Sequence, residues 1–97
     1  MPTIHAIEMI VSDAAVRGGR PCLAGTGLRV TDVVTAHTFH DQSPDDIAVN
    51  YGVSLAAVYA ALAYYYDNKT ALDEDIRAQI QQAQALKAQY GSDSLLP

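Results

Sequence analysis

The stretch Ser43-Pro44-Asp45-Asp46-Ile47-Ala48-Val49-Asn50-Tyr51-Gly52-Val53-Ser54-Leu55-Ala56-Ala57-Val58-Tyr59-Ala60-Ala61-Leu62 decides how this chain folds. Its opening is a helix start: the Ser43 hydroxyl caps, Pro44 is preorganised for the first helical position, and Asp46 completes a capping box. Gly52 permits the positive φ of a tight turn, and Ser54 caps the next helix. Two short helices joined by a three-residue turn containing glycine form a helix-turn-helix. Ile47, Tyr51, Val53, Val58 and Ala61 are its expected inward positions, and Ala48 is small where the helices must approach.

Upstream, Thr31 or Asp32 can cap a helix carrying Val33, Val34, His37 and Thr38 at helical spacing as far as about His40. The chain before it is extended and glycine-rich. Ile7, Met9 and Val11 alternate as in a short strand, and Gly18, Gly19, Gly25 and Gly27 surround Arg20-Pro21-Cys22-Leu23 in a tightly turned loop. A second strand is expected at Leu28-Arg29-Val30, making a small β-ribbon that needs helices or a second copy to pack on.

Downstream, the helix capped by Ser54 carries Leu55, Val58, Leu62 and Tyr65 on one side and reaches about Asn68. Thr70-Ala71-Leu72-Asp73 reads as another capping box. It opens a last helix with the stripe Leu72, Ile76, Ile80, Ala83, Leu86 or Lys87, and Tyr90, which Gly91 is expected to end before a frayed tail. The fold class is therefore mainly α: a β-ribbon and helix-turn-helix core over residues 1–70, with a C-terminal amphipathic helix and tail over 71–97, in one domain.

At 97 residues and 10.4 kDa, a folded chain is expected to expose roughly 5,400 Å² of roughly 15,000 Å², so about 64% is buried. With 49% hydrophobic and 18% charged residues, a disordered acidic chain is excluded. The single cysteine, Cys22, allows no disulfide within the chain, and the N-terminus has no signal-peptide pattern, so a cytoplasmic location is expected. Residues 47–66 carry no formal charge, about the length of a membrane span, but Asn50, Gly52, Ser54 and the tyrosines speak for a turn between helices instead.

The formal charge of −5 at first argues against nucleic acid. Residues 1–40, however, balance Arg17, Arg20 and Arg29 against Glu8, Asp13 and Asp32, so the whole excess of acid lies in residues 41–97. The glycine loop is thus the one anion-facing candidate, and a dimer would present six arginines there, as small repressors do on β-ribbons. The plainer alternative pairs these arginines with Asp13, Asp32 or loop carbonyls. On the second helix, Ser54, Leu55, Ala56, Ala57, Tyr59, Ala60 and Ala63 include no Arg, Lys, Asn or Gln to read a base edge. The candidate DNA contacts are Arg17, Arg20, Thr26 and Arg29, with Ser54 and Tyr59; the candidate partner or dimer contacts are Tyr64, Tyr65, Leu72, Ile76, Ile80, Ala83 and Tyr90. No nucleophile stands beside a base, the glycines lack phosphate-loop spacing, and His37 and His40 read as helix-end histidines, so neither an enzyme, a cofactor nor a metal is expected.

Taken together, Val11-Ser12-Asp13, the run from Arg17 to Val30, Ser43-Pro44-Asp45-Asp46-Ile47 and Ala60-Ala61-Leu62-Ala63-Tyr64-Tyr65 resemble the small prokaryotic family known as domain of unknown function 433, over roughly residues 5–76. The resemblance implies a homeodomain-like three-helix unit behind a short β element. It also implies a VapB-like antitoxin of a type II toxin–antitoxin pair: a homodimer that binds operator DNA and masks a PIN-type ribonuclease toxin with its C-terminal segment. The departures are an apolar helix-turn-helix surface and a last helix with only Arg77 and Lys87 to enter an acidic nuclease centre. The alternative is a dimerisation and protein-interaction module with no nucleic-acid role.

Overall fold

A computed structural model describes residues 1–3, 5 and 7–94, with side chains as far as residue 89. Its elements are β1 (Ile10–Val11), a 3-10 turn (Arg17–Gly19), β2 (Cys22–Leu23), α1 (Val30–Phe39), α2 (Pro44–Tyr51), α3 (Leu55–Asp67) and α4 (Lys69–Ser94). The architecture is mainly helical, with a two-stranded antiparallel hairpin before the helices.

The hairpin pairs Ile10 with Leu23 and Val11 with Cys22. The second strand is therefore Cys22–Leu23, not the expected Leu28–Val30, of which only Arg29 pairs, in a single bridge to Cys22. The cause lies in Asp32. Its carboxylate accepts the Arg29 backbone N–H at 2.9 Å, which makes Arg29, rather than Thr31 or Asp32, the residue at the cap of α1 and starts the helix at Val30. The Val30 N–H donates to Pro21 O at 2.9 Å, holding the loop against that helix start.

The helix-turn-helix forms as its residues direct. Ser43 Oγ accepts the Asp46 N–H and the Asp46 carboxylate accepts the Ser43 N–H, closing the capping box. Gly52 sits at φ 66° with its N–H on Ala48 O, and α3 departs at 119° to α2. Ile47, Val58 and Ala61 are fully buried with Leu23, Val30, Val33 and Val34 in one core. Tyr51 departs from the expected inward set: it is 47% exposed and lies over a cleft beside α1. No single described helix is long and apolar enough to cross a membrane.

The expected cap at Thr70 does not form. One residue, Asn68, separates α3 from α4, and its backbone N–H donates to Tyr64 O and Tyr65 O. Thr70 lies inside α4, and Gly91 does not end that helix, which runs to Ser94. Leu72 and Ile76 join the common core, whereas residues 81–89 are exposed throughout. A helix of this length spans about 39 Å, so its second half stands clear of the rest. The consequence is a molecule 66 Å long, with a radius of gyration of 16.0 Å against roughly 12.5 Å for a compact chain of this length. It exposes 6895 Å², well above the roughly 5,400 Å² of a compact monomer.

Candidate functional site

The glycine loop is held to the helices by two ion pairs. Arg29 meets the Asp32 carboxylate through Nη2 at 2.8 Å and Nε at 3.2 Å, one turn away in sequence. That hydrogen bond raises the Arg29 pKa. Burial pushes the Asp32 carboxyl up, but the side-chain and backbone hydrogen bonds from Arg29 outweigh it and hold Asp32 below the usual carboxylate value. Arg20 reaches much further: its Nε donates to both oxygens of Asp75 on α4, at 3.1 and 3.3 Å. Gln79 donates to the same carboxylate at 3.1 Å.

Arg17 is different. Its backbone lies at φ 50°, followed by Gly18 at 67° and Gly19 at 81°, so three successive residues take left-handed conformations. Such a conformation costs a non-glycine residue about 1–2 kcal/mol. The Arg17 side chain forms no ion pair among the described residues and lines a cleft of about 700 Å³ with Arg29, Thr35, Tyr51 and Gln79. Of the three arginines of the glycine loop, two are thus committed to carboxylates and one faces solvent.

Two of the other three candidate DNA contacts, Thr26 and Ser54, are occupied within the fold. Thr26 Oγ1 donates to Leu23 O at 2.8 Å and accepts the Leu28 N–H at 3.1 Å, which locks the turn between β2 and Arg29. Ser54 Oγ accepts the Ala57 N–H and so serves as the cap of α3. Tyr59 is free and 54% exposed. It stands on an outer face of α3 bearing Ala56, Ala63 and Tyr66, beside an apolar groove walled by Ile7 and Met9.

Of the expected partner contacts, Tyr65, Leu72 and Ile76 lie in the chain's own core, and Tyr64 is half-buried against it. Ile80 and Ala83 are exposed on α4, and the side chain of Tyr90 lies outside the described residues. Tyr65 also fixes the direction of α4. Its hydroxyl donates to the Asp73 carboxylate at 2.7 Å, Lys69 binds the other oxygen at 2.7 Å, and the Lys69 ammonium sits 5.5 Å from the Tyr65 ring centre. The Asp73 bond raises the Tyr65 pKa, and hydrogen bonds from Lys69 and then Tyr65 hold Asp73 below its usual value. Sequence reading missed Asp75 and Asp73 as partners, since each looks like an ordinary first-turn helix acid.

Two further polar groups have local partners. His37 Nδ1 lies 2.9 Å from Gln42 O, and the buried Cys22 thiol donates to Arg20 O at 3.4 Å. Among the described residues no group of three His, Cys, Asp or Glu side chains is placed to hold a metal ion. The arrangement can bind through surfaces: a loop with one uncommitted arginine, an apolar helix face, and a projecting helix.

The sequence model of the family described as Protein of unknown function (DUF433) matches residues 10–65. That interval runs from β1 to Tyr65, and covers the hairpin, the glycine loop, α1, α2 and most of α3. No curated protein and no solved structure matches the chain.

Proposed function

The chain belongs to the DUF433 family of proteins of unknown function, and from that premise we propose that it is the antitoxin of a type II toxin–antitoxin pair, a homodimer whose α4 grips a PIN-type ribonuclease. The observation that carries this reading is the projecting half of α4. Residues 81–89 are exposed throughout on a helix whose first turns are anchored by Leu72, Ile76 and the Tyr65–Asp73–Lys69 contacts. A helical segment that packs on nothing is only marginally stable by itself, and a partner that covers it supplies the missing support. The family match ends at residue 65, so the unit shared with the family supplies the platform and α4 supplies the part suited to an individual partner.

Operator contact in this reading falls to the loop, with Arg17 offering its guanidinium outright and Arg20 sharing its own with Asp75. The outer face of α3 has no base-reading side chain and is not assigned to the groove.

The test is the ribonuclease activity of a PIN-type protein encoded beside this chain. Added at equal concentration, the full chain abolishes RNA cleavage, and the chain ended after Gln82 does not. Undiminished cleavage in the presence of the full chain refutes the antitoxin role. The pairing module without DNA contact is the second reading, favoured by the engagement of Arg20 and Arg29 with carboxylates. A gel shift on the DNA upstream of the gene separates the two, because the module leaves that DNA unshifted at low salt.

A further inference from the structure

Between Leu55 and Asp67 at its two exposed ends, the side chains that α3 turns away from the core are Ala56, Tyr59, Ala63 and Tyr66. Their spacing of three, four and three residues keeps them on one straight stripe along the helix. They run small, large, small, large. Read from the opposite end, the same stripe runs large, small, large, small.

An antiparallel copy with the two-fold axis at the level of Ala61 therefore sets Tyr59 against Ala63, and Tyr66 against Ala56, at all four levels. An isologous contact requires a patch complementary to itself, and this alternation supplies one. We propose that the Ala56–Tyr59–Ala63–Tyr66 stripe is the seat of a second copy of this chain, so that the homodimer closes α3 against α3 and leaves both α4 helices free. The inference deepens the dimer of the function proposed above and rests on that part of it.

Three further observations select a second copy as the occupant. Tyr66 is 68% exposed, and its ring rests on one side against Tyr65, at 5.2 Å between centroids and 58° between planes. Ile7 and Met9 wall an apolar groove of about 430 Å³ over Ala56, Ala60 and Ala63, where the partner's Tyr59 ring has room. Charge then sets α3 apart from α2 and from the first turns of α4. α3 carries no formal charge before Asp67, whereas α2 begins with Asp45 and Asp46 and α4 carries Asp73, Glu74 and Asp75. Two chains of net charge −5 meet on the α3 stripe without setting carboxylate against carboxylate.

Light scattering and sedimentation of the full chain test this. The native protein is a dimer. Ala63→Tyr sets two rings against each other on both sides of the axis and weakens the dimer on the order of a hundredfold. Tyr59→Ala combined with Ala63→Tyr exchanges large and small at one level, keeps the composition, and returns the dimer to within about tenfold of native. Ile80→Asp leaves the mass unchanged. Both α3 positions are exposed, and circular dichroism checks the fold; should the single variant unfold, the exchanged pair decides. A native monomer overturns this surface together with the dimer of the proposed function. A native dimer indifferent to Ala63→Tyr, not recovered by the exchange, or lost with Ile80→Asp overturns the α3 surface alone and leaves the ribonuclease and DNA readings to their own assays.

Discussion

Arg20 in the glycine loop and Asp75 in α4 join segments 55 residues apart, with Arg20 Nε bonded to both carboxylate oxygens. The pair is the one salt bridge among the described residues that spans from the loop to the last helix. With 41% of the Arg20 side chain and 26% of Asp75 exposed, solvent screens it, and its loss costs about 0.5 kcal/mol in urea unfolding. In the operator complex proposed above its effect is larger and has two signs. Arg20→Ala removes a phosphate contact from each subunit and lowers the salt slope of operator binding by about two per dimer. Asp75→Asn frees the guanidinium and removes a negative charge, so affinity rises. Gel shifts across a salt series read both, and equal losses for the two variants would place the pair in the scaffold only.

The Tyr65–Asp73–Lys69 contacts set the pH response of the α3–α4 junction. Asp73 has its pKa lowered, first by Lys69 and then by Tyr65, so its contribution is present above the unfolded value near 3.9 and fades as pH falls through the folded one. Tyr65 and Lys69 have raised values, so their contributions hold below about 10 and fade as pH rises through the folded ones. Tyr65→Phe flattens the loss of stability on the acid side, measured as melting temperature against pH from 2 to 6, on the order of the range where carboxylates titrate. An acid limb as steep as that of the native chain would show that Asp73 depends on Lys69 alone.

Local chemistry made the helix-turn-helix legible: Ser43, Pro44, Asp46, Gly52 and Ser54 each act within four residues of themselves, and each takes the expected place. What sequence reading lost were competitions between neighbours. Asp32 has both Thr31 and Arg29 within reach, and the Arg29 side chain, which bonds it as well, draws the cap back to Arg29 and shortens the expected strand. At the start of α4, Asn68 bonds back to Tyr64 and Tyr65, leaving Thr70 inside a helix already begun. The candidate site suffered most because its contacts are distant. Nothing near Arg20 points to Asp75, and the stripe Leu72–Ile76 reads the same whether a partner or the chain's own core covers it.

Gly52 and Ser43 allow the helix-turn-helix to be weighed by small changes. A Cβ at Gly52 meets nothing within 4 Å, so Gly52→Ala suffers only from holding φ near 66° and costs about 1 kcal/mol in chemical denaturation. Ser43→Ala loses the hydroxyl that accepts the Asp46 N–H and costs about 1 kcal/mol as well. Ile47→Ala is of another order, since Ile47 is fully buried in the core cluster with residues of α1 and α3, and it costs about 2–5 kcal/mol. A Gly52→Ala cost approaching that of Ile47→Ala would mean that the turn clashes on forming.

Ending the chain after Gln82 separates stability from binding. The core contacts of α4 end at Ile76, Gln79 still reaches Asp75, and residues 81–89 are exposed. Removal of the residues beyond Gln82 therefore takes none of the described core residues, and the shortened chain melts within about 3 °C of the full one, less than a 1 kcal/mol change produces in a chain of this size. It also keeps the α3 stripe, so its mass by light scattering remains that of a dimer. Inhibition of the ribonuclease should disappear, because the removed segment holds Leu86, Lys87 and the rest of the projecting helix. A shortened chain that melts far below the full one would place the projecting half of α4 in the scaffold. One that still inhibits would move the grip to the groove lined by Phe39, Ile76 and Arg77.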